Sequence, residues 1–282
     1  MKYGVITGLM FGAAVTVFGA DPAVFSFKTG EFQIDMLVES RGPGRPSILL
    51  GLGGEQLEKY LPGGDFQSEV NVFLVRGRGH TVLVDTGFGQ ALFDGMKKLG
   101  VEPGAVDTVL ITHMHGDHIG GLARDGRALF PRAKVYLAAR ERDYWLNSAG
   151  NAAARTALAP YGGRVETFQP GDLGGGAPEL LPGIRAAAAF GHTPGHTVFL
   201  IESGAEKFLI WGDLMHVEKV QFPLPGVSVS YDTDPEAAAA SRKQVLAWAA
   251  ANRVPVGGMH LVYPAAGRVQ TDGAGYRFVP ME

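Results

Sequence analysis

The chain has 282 residues, of which 46% are hydrophobic and 19% are charged, a globular composition with enough apolar material for a large core. The formal net charge is −3 and the sequence has no basic block, which argues against a nucleic-acid-binding surface. The chain contains no cysteine, so it forms no disulfide, and any metal must be held by histidines and carboxylates.

The first twenty residues have the pattern of a secretory signal peptide. After Lys2, residues 3–20 carry no charge and are rich in Gly, Ala and Val, and the stretch ends at the small residue Ala20. A membrane anchor or a buried first strand is the alternative, but this stretch barely reaches spanning length and its glycines disfavour a helix. We therefore expect a signal peptide over residues 1–20, no stable membrane anchor, and a periplasmic or secreted protein. A cytoplasmic location is the alternative.

Hydrophobic patterning predicts mostly strands in the first half of the chain. Two β-rich runs, 70–75 and 81–85, are separated by Gly77-Arg78-Gly79 and predict a hairpin. In chain order the other predicted elements are an opening strand at 32–38, a long Gly/Pro-rich loop at 41–65, a helix at 90–99, strands at 108–112 and 134–137, and a helix near 140–147.

The second half repeats this order of strands followed by a helix. Strands are predicted at 184–189, 198–203 and 207–211, and a late strand at 254–259. Asp234 followed by Pro235 is typical of a helix start, and an Ala-rich helix is predicted from there to Asn252. With no internal linker, the pattern predicts a single domain over residues 21–282, with a pseudo-duplicated layered α/β fold.

The strongest chemical signal follows the predicted strand at 108–112. The sequence His113-Met114-His115-Gly116-Asp117-His118 contains four potential metal ligands within six residues. A strand that ends in a turn can direct such side chains to one point, and imidazoles with carboxylates suit zinc, manganese, iron or cobalt. The alternative is a histidine-rich surface loop with incidental metal affinity.

The remaining histidines are spread along the chain, mostly near the ends of predicted strands. His192 and His196 flank Thr193-Pro194-Gly195, and His260 ends the late strand. His80 lies in the predicted hairpin and His216 follows Asp213 by three residues, so we expect ordinary structural roles for these two histidines.

The segment His113–His118 and three other segments resemble the ordered motifs of the metallo-β-lactamase superfamily. The other three are Val84-Asp85-Thr86-Gly87, Gly191-His192-Thr193-Pro194-Gly195-His196 and Gly212-Asp213. The resemblance runs from about Phe32 to Val279. It implies an α/β fold, the αββα metallo-β-lactamase sandwich, as a single domain. It also implies a site at one edge of the two sheets.

The same resemblance implies two divalent metal ions. Zinc is the preferred metal, with Mn2+, Fe2+ or Co2+ as alternatives. One ion would be bound by His113, His115 and His196, the second by Asp117, His118 and His260, and both by Asp213. Asp85 would orient a ligand histidine from behind. In this assignment His192 is not a ligand, and it either forms a hydrogen bond nearby or only packs.

Later sequence resembles the methyl-parathion-hydrolase-like and lactonase-like branch of the superfamily. The residues that carry this resemblance include Asp143-Tyr144-Trp145-Leu146, Tyr231-Asp232-Thr233-Asp234 and His260-Leu261-Val262-Tyr263-Pro264. Familiar β-lactamases of this superfamily often have a cysteine at the second site and lack the bridging aspartate, so the resemblance, with no cysteine and with Asp213 present, argues against β-lactam substrates. The branch implies hydrolysis of an ester-like bond in a lactone, an aryl ester or a phosphotriester.

The expected nucleophile is a metal-bridging hydroxide, with Asp117 and Asp213 as the catalytic carboxylates. Trp145, Phe93 and Tyr263 would line the substrate pocket, with Phe88 as an alternative to Phe93. Ordinary core packing is the competing interpretation for these aromatic residues.

Three alternatives stay open at this stage. A thioester hydrolase of the glyoxalase II type would share the first motif but usually brings a basic C-terminal region, which this sequence lacks. A nuclease of the same superfamily is disfavoured by the acidic charge balance. A non-catalytic metal-binding protein is the third. We expect a small-molecule, ester-like substrate and no nucleic acid partner, and a homodimer is left open.

Overall fold

The computed structural model describes residues 24–148 and 150–282. The predicted signal peptide, residues 1–20, lies outside these ranges. In chain order the strands are β1 (Val24–Thr29), β2 (Phe32–Pro43), β3 (Leu49–Leu50), β4 (Gln67–Gly77), β5 (His80–Val84), β6 (Thr108–Leu110), β7 (Ala123–Arg124), β8 (Arg127–Ala128), β9 (Lys134–Ala138), β10 (Val165–Phe168), β11 (Glu179–Leu181), β12 (Ile184–Ala188), β13 (Thr197–Ser203), β14 (Glu206–Ile210), β15 (Ser228–Val229), β16 (Val256–Gly257), β17 (Ala266–Asp272) and β18 (Gly275–Pro280).

The α-helices are short except for the last one. They are α1 (Gly54–Tyr60), α2 (Leu92–Lys98), α3 (Gly116–Ile119), α4 (Ala139–Asp143), α5 (Ala152–Leu158), α6 (Glu218–Gln221) and α7 (Pro235–Asn252), and α4 continues into a π-helical turn at Tyr144–Ser148. Short 3-10 turns lie at Pro46–Ile48, Pro62–Gly64, Pro103–Ala105 and Ala159–Arg164. None of the described helices combines the length and the apolar character needed to cross a bilayer.

Two seven-stranded sheets form the centre of the fold. The first has the order β1-β2-β4-β5-β6-β9-β10 and the second the order β11-β12-β13-β14-β16-β17-β18. Within the first sheet β5, β6, β9 and β10 run parallel, and within the second β14 and β16 run parallel. Each sheet also contains antiparallel pairs, so both are mixed.

Strand β4 shows why the first sheet is buried on both faces. Successive side chains of a strand point to opposite faces. Phe73 and Val75 therefore pack into the core shared with the second sheet, whereas Val72 and Leu74 pack into a separate core beneath the helices. Both faces are covered, so the strand is continuously hydrophobic rather than alternating.

Helices cover the outer face of each sheet. On the first sheet, Leu92 and Met96 of α2 join the core that includes Val72 and Leu74. Helix α7 packs against β17 of the second sheet, and its Val245 and Leu246 belong to the same continuous core cluster as that sheet. The result is an αββα sandwich in one domain, which confirms the predicted fold class.

Helix α7 forms where the sequence predicts it. The side chain of Asp234 accepts a hydrogen bond from the backbone of Ala237 at 3.0 Å, and Pro235 occupies the first turn, where its missing N–H costs nothing. At the other end Arg253 adopts a left-handed conformation, with φ of 54°, and its N–H caps the helix.

The structure differs from the sequence prediction in the segment 41–65 and in several short or edge elements. Residues 41–65 are not a continuous loop, because β2 extends to Pro43 and the segment contains β3 and α1. The sequence analysis also does not predict the short elements β7, β8, β15, α3, α5 and α6. Nor does it predict five strands of the two large sheets, namely β1, β10, β11, β17 and β18. These strands lie at or near the sheet edges, where one face is exposed and hydrophobic patterning is weak, as the exposed Arg268 and Gln270 of β17 show.

The ends of four strands place the chemically important residues at one edge of the sandwich. Asp85 directly follows β5, and the segment 112–118 follows the parallel neighbour β6. In the second sheet, Asp213 follows β14 and His260 follows the parallel neighbour β16. Neighbouring parallel strands end at the same edge, so residues distant in sequence meet there.

Candidate metal centre

Four side chains converge to form a first ligand group, made of His113, His115, His192 and Asp213. The Nε2 atom of His192 lies 3.0 Å from His115 Nδ1 and 3.2 Å from His113 Nε2. His113 Nε2 and His115 Nδ1 are themselves 2.9 Å apart. One oxygen of Asp213, Oδ2, completes the group at 3.3 Å from His192 Nε2 and 3.5 Å from His113 Nε2.

A second group of the same size adjoins the first and consists of Asp117, His118, His260 and again Asp213. His118 Nε2 lies 3.1 Å from Asp213 Oδ1, and His260 Nε2 lies 3.0 Å from Asp213 Oδ2. Asp117 Oδ2 is 3.6 Å from His118 Nε2 and 3.5 Å from His260 Nε2. The carboxylate of Asp213 therefore belongs to both groups, with each oxygen facing different imidazoles.

These groups fit divalent metal ions. Buried His118 Nε2 and Asp213 Oδ1 lie 3.1 Å apart, but not in hydrogen-bonding geometry, and neither atom has another hydrogen-bond partner, which is costly for a buried polar atom. Ligand atoms of a tetrahedral zinc, with bonds of about 2.0–2.1 Å, lie roughly 3.3 Å from one another, which is close to the separations within each group. A donor set of imidazoles and carboxylates without thiolate suits zinc and also manganese, iron or cobalt.

The charges of the cluster also favour cations. Burial opposes ionisation of Asp213, but the imidazoles of His118 and His260 hold the pKa of its carboxyl well below the usual range. Burial lowers the pKa of His115 to about 3, so this imidazole is neutral near pH 7. Burial lowers the pKa of His192, but hydrogen bonds with Asp213 and Asp232 outweigh it and raise that pKa to about 9. Metal ligands need ionised carboxylates and neutral imidazoles, so an ion bound here would displace the proton of His192.

Asp85 orients the second group from behind. Its Oδ2 lies 2.7 Å from His118 Nδ1, so that His118 directs Nε2 into the cluster. The carboxylate of Asp85 also accepts hydrogen bonds from the backbone N–H and the hydroxyl of Thr112, at 2.8 and 2.6 Å. The structure thus places Asp85 where the sequence predicts it, between the end of β5 and the histidine-rich loop.

Asp232 plays the corresponding part behind the first group. Its Oδ1 lies 2.8 Å from His192 Nδ1, and its Oδ2 accepts a hydrogen bond from the backbone of Val229. The buried guanidinium of Arg242 lies 3.7 Å from Asp232 Oδ2. Sequence reasoning missed this role, although Asp232 lies within a stretch that carries the branch resemblance.

His260 is oriented by the backbone rather than by a carboxylate. Its Nδ1 lies 2.7 Å from the carbonyl oxygen of Glu69, at the beginning of β4. The Glu69 carboxylate accepts hydrogen bonds from Arg41 and from the backbone of Tyr263, so it fastens the segment after His260 to the first sheet.

The structure corrects the predicted ligand set at one position, because His192 and not His196 belongs to the first group. Both ring nitrogens of His196 are engaged elsewhere. Its Nδ1 lies 3.0 Å from the carbonyl oxygen of Ala189, and its Nε2 accepts a 3.0 Å hydrogen bond from the backbone N–H of Asp213. A Cβ at Gly212, where φ is 59°, would collide with this imidazole, so the close approach requires glycine.

The aromatic residues predicted to line the pocket separate into two classes. Trp145 contacts the first group, with its ring 5.3 Å from that of His115 in an edge-on arrangement. Tyr263 is 42% exposed, three residues beyond His260. Phe93 instead stacks on Phe130 at 5.8 Å in the core beneath the helices, so its predicted place in the substrate pocket is corrected.

His216 lies closer to the centre than expected. Its Nε2 is 3.2 Å from Asp213 Oδ2, and its ring stacks on His260 with centroids 4.7 Å apart. Burial lowers the pKa of His216 to about 4, so the ring is neutral near pH 7. His80, by contrast, pairs with Asp107 at 3.1 Å in the β4–β5 hairpin, away from the cluster.

Comparison with known sequences gives one family. The model of the metallo-beta-lactamase superfamily matches residues 66–252. The chain is 30% identical over 199 residues to metallo-beta-lactamase domain-containing protein 1 of Xenopus laevis, covering 67% of this chain and 72% of that protein. It is 33% identical over 133 residues to a hydroxyacylglutathione hydrolase of Acidiphilium cryptum, covering 47% of this chain and only 45% of that enzyme.

Solved structures resemble the whole fold. The hydrolase AbOPH of the beta lactamase superfamily superposes with a TM-score of 0.84 at 27% identity, covering 94% of this chain and 99% of that chain. AidC, a dizinc quorum-quenching lactonase in complex with a product, N-hexanoyl-L-homoserine, superposes with a TM-score of 0.83 at 25% identity, covering 93% of this chain and 98% of that chain.

Proposed function

Because the chain belongs to the metallo-β-lactamase superfamily, whose members are metal-dependent hydrolases, we propose that it hydrolyses hydrophobic lactones or aryl esters with two bound divalent metal ions. Zinc is the first choice of metal. Phosphotriesters are a secondary substrate class in this proposal, since they present a similar polar centre between hydrophobic groups.

One observation carries the proposal, namely that the two ligand groups share Asp213. A carboxylate with one oxygen near His118 and the other near His192 can hold two ions side by side. His113, His115 and His192 would hold one ion, Asp117, His118 and His260 the other, and Asp213 both. Such a pair of sites differs from a structural zinc site, in which four protein ligands fill every coordination position of a single ion.

The bound ions would lower the pKa of a water molecule to about 7 and polarise a carbonyl or phosphoryl oxygen. The protein's own side chains supply orientation and proton transfer. Asp117, whose side chain is 24% exposed, is the ligand carboxylate most open to solvent and can accept a proton at Oδ2 during the reaction. His216, whose Nε2 lies 3.2 Å from Asp213 Oδ2, can hold that carboxylate in place.

The surroundings of the centre favour a substrate with an apolar group. Among the residues that the structure describes, the large hydrophobic side chains left exposed are Leu50, Phe88, Tyr231 and Tyr263. Phe88 follows the Asp85 turn, Tyr263 follows His260, and the ring of Tyr231 lies 5.8 Å from that of His216. Leu50 belongs to β3, which pairs with β15 just before Tyr231. Exposed apolar groups concentrated near a polar centre are typical of a binding site.

The similar proteins support the same substrate class. AidC, which this chain matches over nearly its full length, is a lactonase, and its bound product is an acyl homoserine. A thioester hydrolase is the second candidate, supported by the match to a hydroxyacylglutathione hydrolase over less than half of that enzyme. The hydrophobic residues around the centre favour the first candidate, because glutathione is a polar and charged substrate.

The proposal is tested by the hydrolysis rates of zinc-loaded protein on a γ-lactone with an acyl chain, an aryl ester, a phosphotriester, a glutathione thioester and a β-lactam. We expect the lactone or the aryl ester to be hydrolysed with the highest kcat/KM, and Asp213→Ala to abolish every activity. Fastest turnover of the thioester would overturn the substrate assignment. Activity that survives complete removal of metal would overturn the metal-dependent mechanism.

A further inference from the structure

Glu141, in helix α4, is a fully buried carboxylate outside both ligand groups. Its Oε1 accepts hydrogen bonds from the backbone N–H of Met114 at 2.9 Å and from the indole Nε1 of Trp145 at 2.6 Å. Its Oε2 accepts hydrogen bonds from the hydroxyl of Thr193 at 2.7 Å and from the backbone N–H of Gly195 at 2.9 Å. Both oxygens are thus occupied twice, and every partner is a donor.

These partners belong to three segments that meet around the first ligand group. Met114 lies between His113 and His115, and Thr193 directly follows His192. The indole of Trp145 packs edge-on against His115. No hydrogen bond described for Glu141 reaches Asp117, His118 or His260, the residues that belong only to the second group.

The packing around Glu141 leaves little room for rearrangement. A Cβ at Gly195 would collide with the backbone of Glu141, so helix α4 lies directly against the loop that carries His192. Burial raises the pKa of Glu141, and the four hydrogen bonds oppose that shift. A carboxylate that accepts from several backbone and side-chain donors is held in one orientation, because such charge-assisted hydrogen bonds are short and strong.

We propose that Glu141 is a positioning residue that sets the first metal site and the Trp145 wall of the substrate pocket as one unit. Three of the four ligands of the first site lie on the two loops that Glu141 joins. A change at Glu141 therefore weakens metal binding at the first site more than at the second. Because Trp145 is held by the same carboxylate, the change also alters KM. This inference rests on the proposed two-metal site.

Glu141→Gln is the most informative variant. Glutamine has nearly the same shape, but its amide nitrogen must face either Met114 and Trp145 or Thr193 and Gly195, and all four of these partners are donors. Thr193→Val removes one donor to Oε2 while keeping the side-chain volume. Trp145→Phe removes the indole N–H together with part of the ring and leaves both loops attached to Glu141.

Glu39→Gln is a matched control. Glu39 is also a buried carboxylate that accepts backbone hydrogen bonds, from Gln90 at 2.6 Å and from Leu92; it packs against Gly87, and no hydrogen bond described for it reaches a metal ligand. We expect this variant to lower thermal stability and to leave the affinity for zinc unchanged. The comparison separates the loss of a buried carboxylate in general from a specific effect on the first site.

The measurement is zinc binding, by titration against a competing chelator and by the imidazole 15N chemical shifts, which report which of the 8 histidines carry metal. For Glu141→Gln we expect the first-site affinity to fall about 10- to 100-fold, as for other residues that support metal ligands. The 15N signals of His115 and His192 should change, and those of His118 and His260 should not. Thr193→Val should give a smaller loss of the same kind, and Trp145→Phe should change KM with full metal content.

Three outcomes would overturn this inference and leave the proposed function standing. The first is zinc affinity like that of the parent protein at both sites in Glu141→Gln, and the second is equal weakening of both sites in a folded variant. If Glu141→Gln does not fold, Thr193→Val decides, and unchanged zinc affinity in that variant would contradict the inference. A parent protein that binds no metal would overturn the proposed function, and with it this inference, so the two failures are distinguishable.

Discussion

His196 Nε2 accepts a 3.0 Å hydrogen bond from the backbone N–H of Asp213, so this histidine holds the residue that both ligand groups share. Its other ring nitrogen, Nδ1, lies 3.0 Å from the carbonyl oxygen of Ala189, so neither nitrogen is free to bind a metal. His192, four residues earlier, reaches the side chain of the same aspartate at 3.3 Å. Two histidines of one motif thus support Asp213 in different ways.

His192→Ala and His196→Gln should therefore have different effects. We expect His192→Ala to lose the first-site metal, reducing bound zinc from about two to about one per chain, and to lower kcat/KM at least about 100-fold. His196→Gln should keep two zinc ions at saturating metal but lower the free energy of unfolding by about 1–3 kcal/mol, because a buried hydrogen bond is perturbed. Metal analysis and thermal denaturation distinguish the two variants, and loss of zinc only in His196→Gln would reverse the assignment.

Asp213→Ala should be more damaging than any substitution of a ligand that belongs to one group. Because Asp213 contributes to both groups, we expect both zinc affinities to fall together and activity to disappear. Asp117→Ala, which affects only the second group, should retain about one zinc ion. Metal content after dialysis against a defined zinc buffer measures both effects, and an Asp213→Ala protein with two tightly bound ions would contradict the shared role.

Asp85→Asn and Asp232→Asn form a matched pair, one behind each group. Each aspartate lies beside the Nδ1 of one ligand histidine, His118 or His192, at 2.7 and 2.8 Å. Replacing the carboxylate with an amide should weaken the metal at that histidine about 10-fold or more and leave the other metal nearly unchanged. Imidazole 15N shifts during zinc titration would show which site weakens. Identical titration curves for the two variants would refute the claim that each aspartate supports a different metal site.

The exposed aromatic residues should determine the preference for apolar substrates. We expect Phe88→Ala and Tyr231→Ala to raise KM for long-chain lactones or aryl esters by about 10-fold, since each large apolar contact contributes about 1.5–3 kcal/mol when fully buried and less at an open mouth. A small lactone without an acyl chain is the control and should be affected little. If kcat/KM fell equally for both substrates, through a lower kcat rather than a higher KM, these residues would not be binding the acyl chain.

Tyr161 predicts a change in stability at alkaline pH. Burial raises the pKa of its phenol from 10.0 to about 12, and the hydroxyl donates a 2.8 Å hydrogen bond to the carbonyl of Leu122. The unfolded chain releases this proton near pH 10 whereas the folded chain keeps it, so the free energy of unfolding should fall as the pH rises from about 10 to about 12. In Tyr161→Phe the free energy of unfolding, measured by urea denaturation, should fall less steeply between about pH 10 and pH 12. The same pH dependence in both proteins would contradict the raised pKa of Tyr161.

Sequence patterns predicted the features that are local in the chain. The long hydrophobic strands and the capped α7 helix were found because their signals lie within a few residues. The choice between His192 and His196 was not predictable in this way, because both flank Thr193-Pro194-Gly195 and the turn alone decides which ring faces the cluster. Asp232 was missed for a related reason, since it meets His192 across 40 residues of sequence.

The ligands of the candidate centre are divided between the two sheets. His113, His115, Asp117 and His118 follow the first sheet, whereas His192, Asp213 and His260 follow the second. An ion bound here would cross-link the two halves of the chain, and its full set of ligands would exist only once the two halves have docked. Metal affinity therefore adds directly to the cohesion of the sandwich. Scarcity of metal would therefore lower the stability of the folded protein as well as its activity.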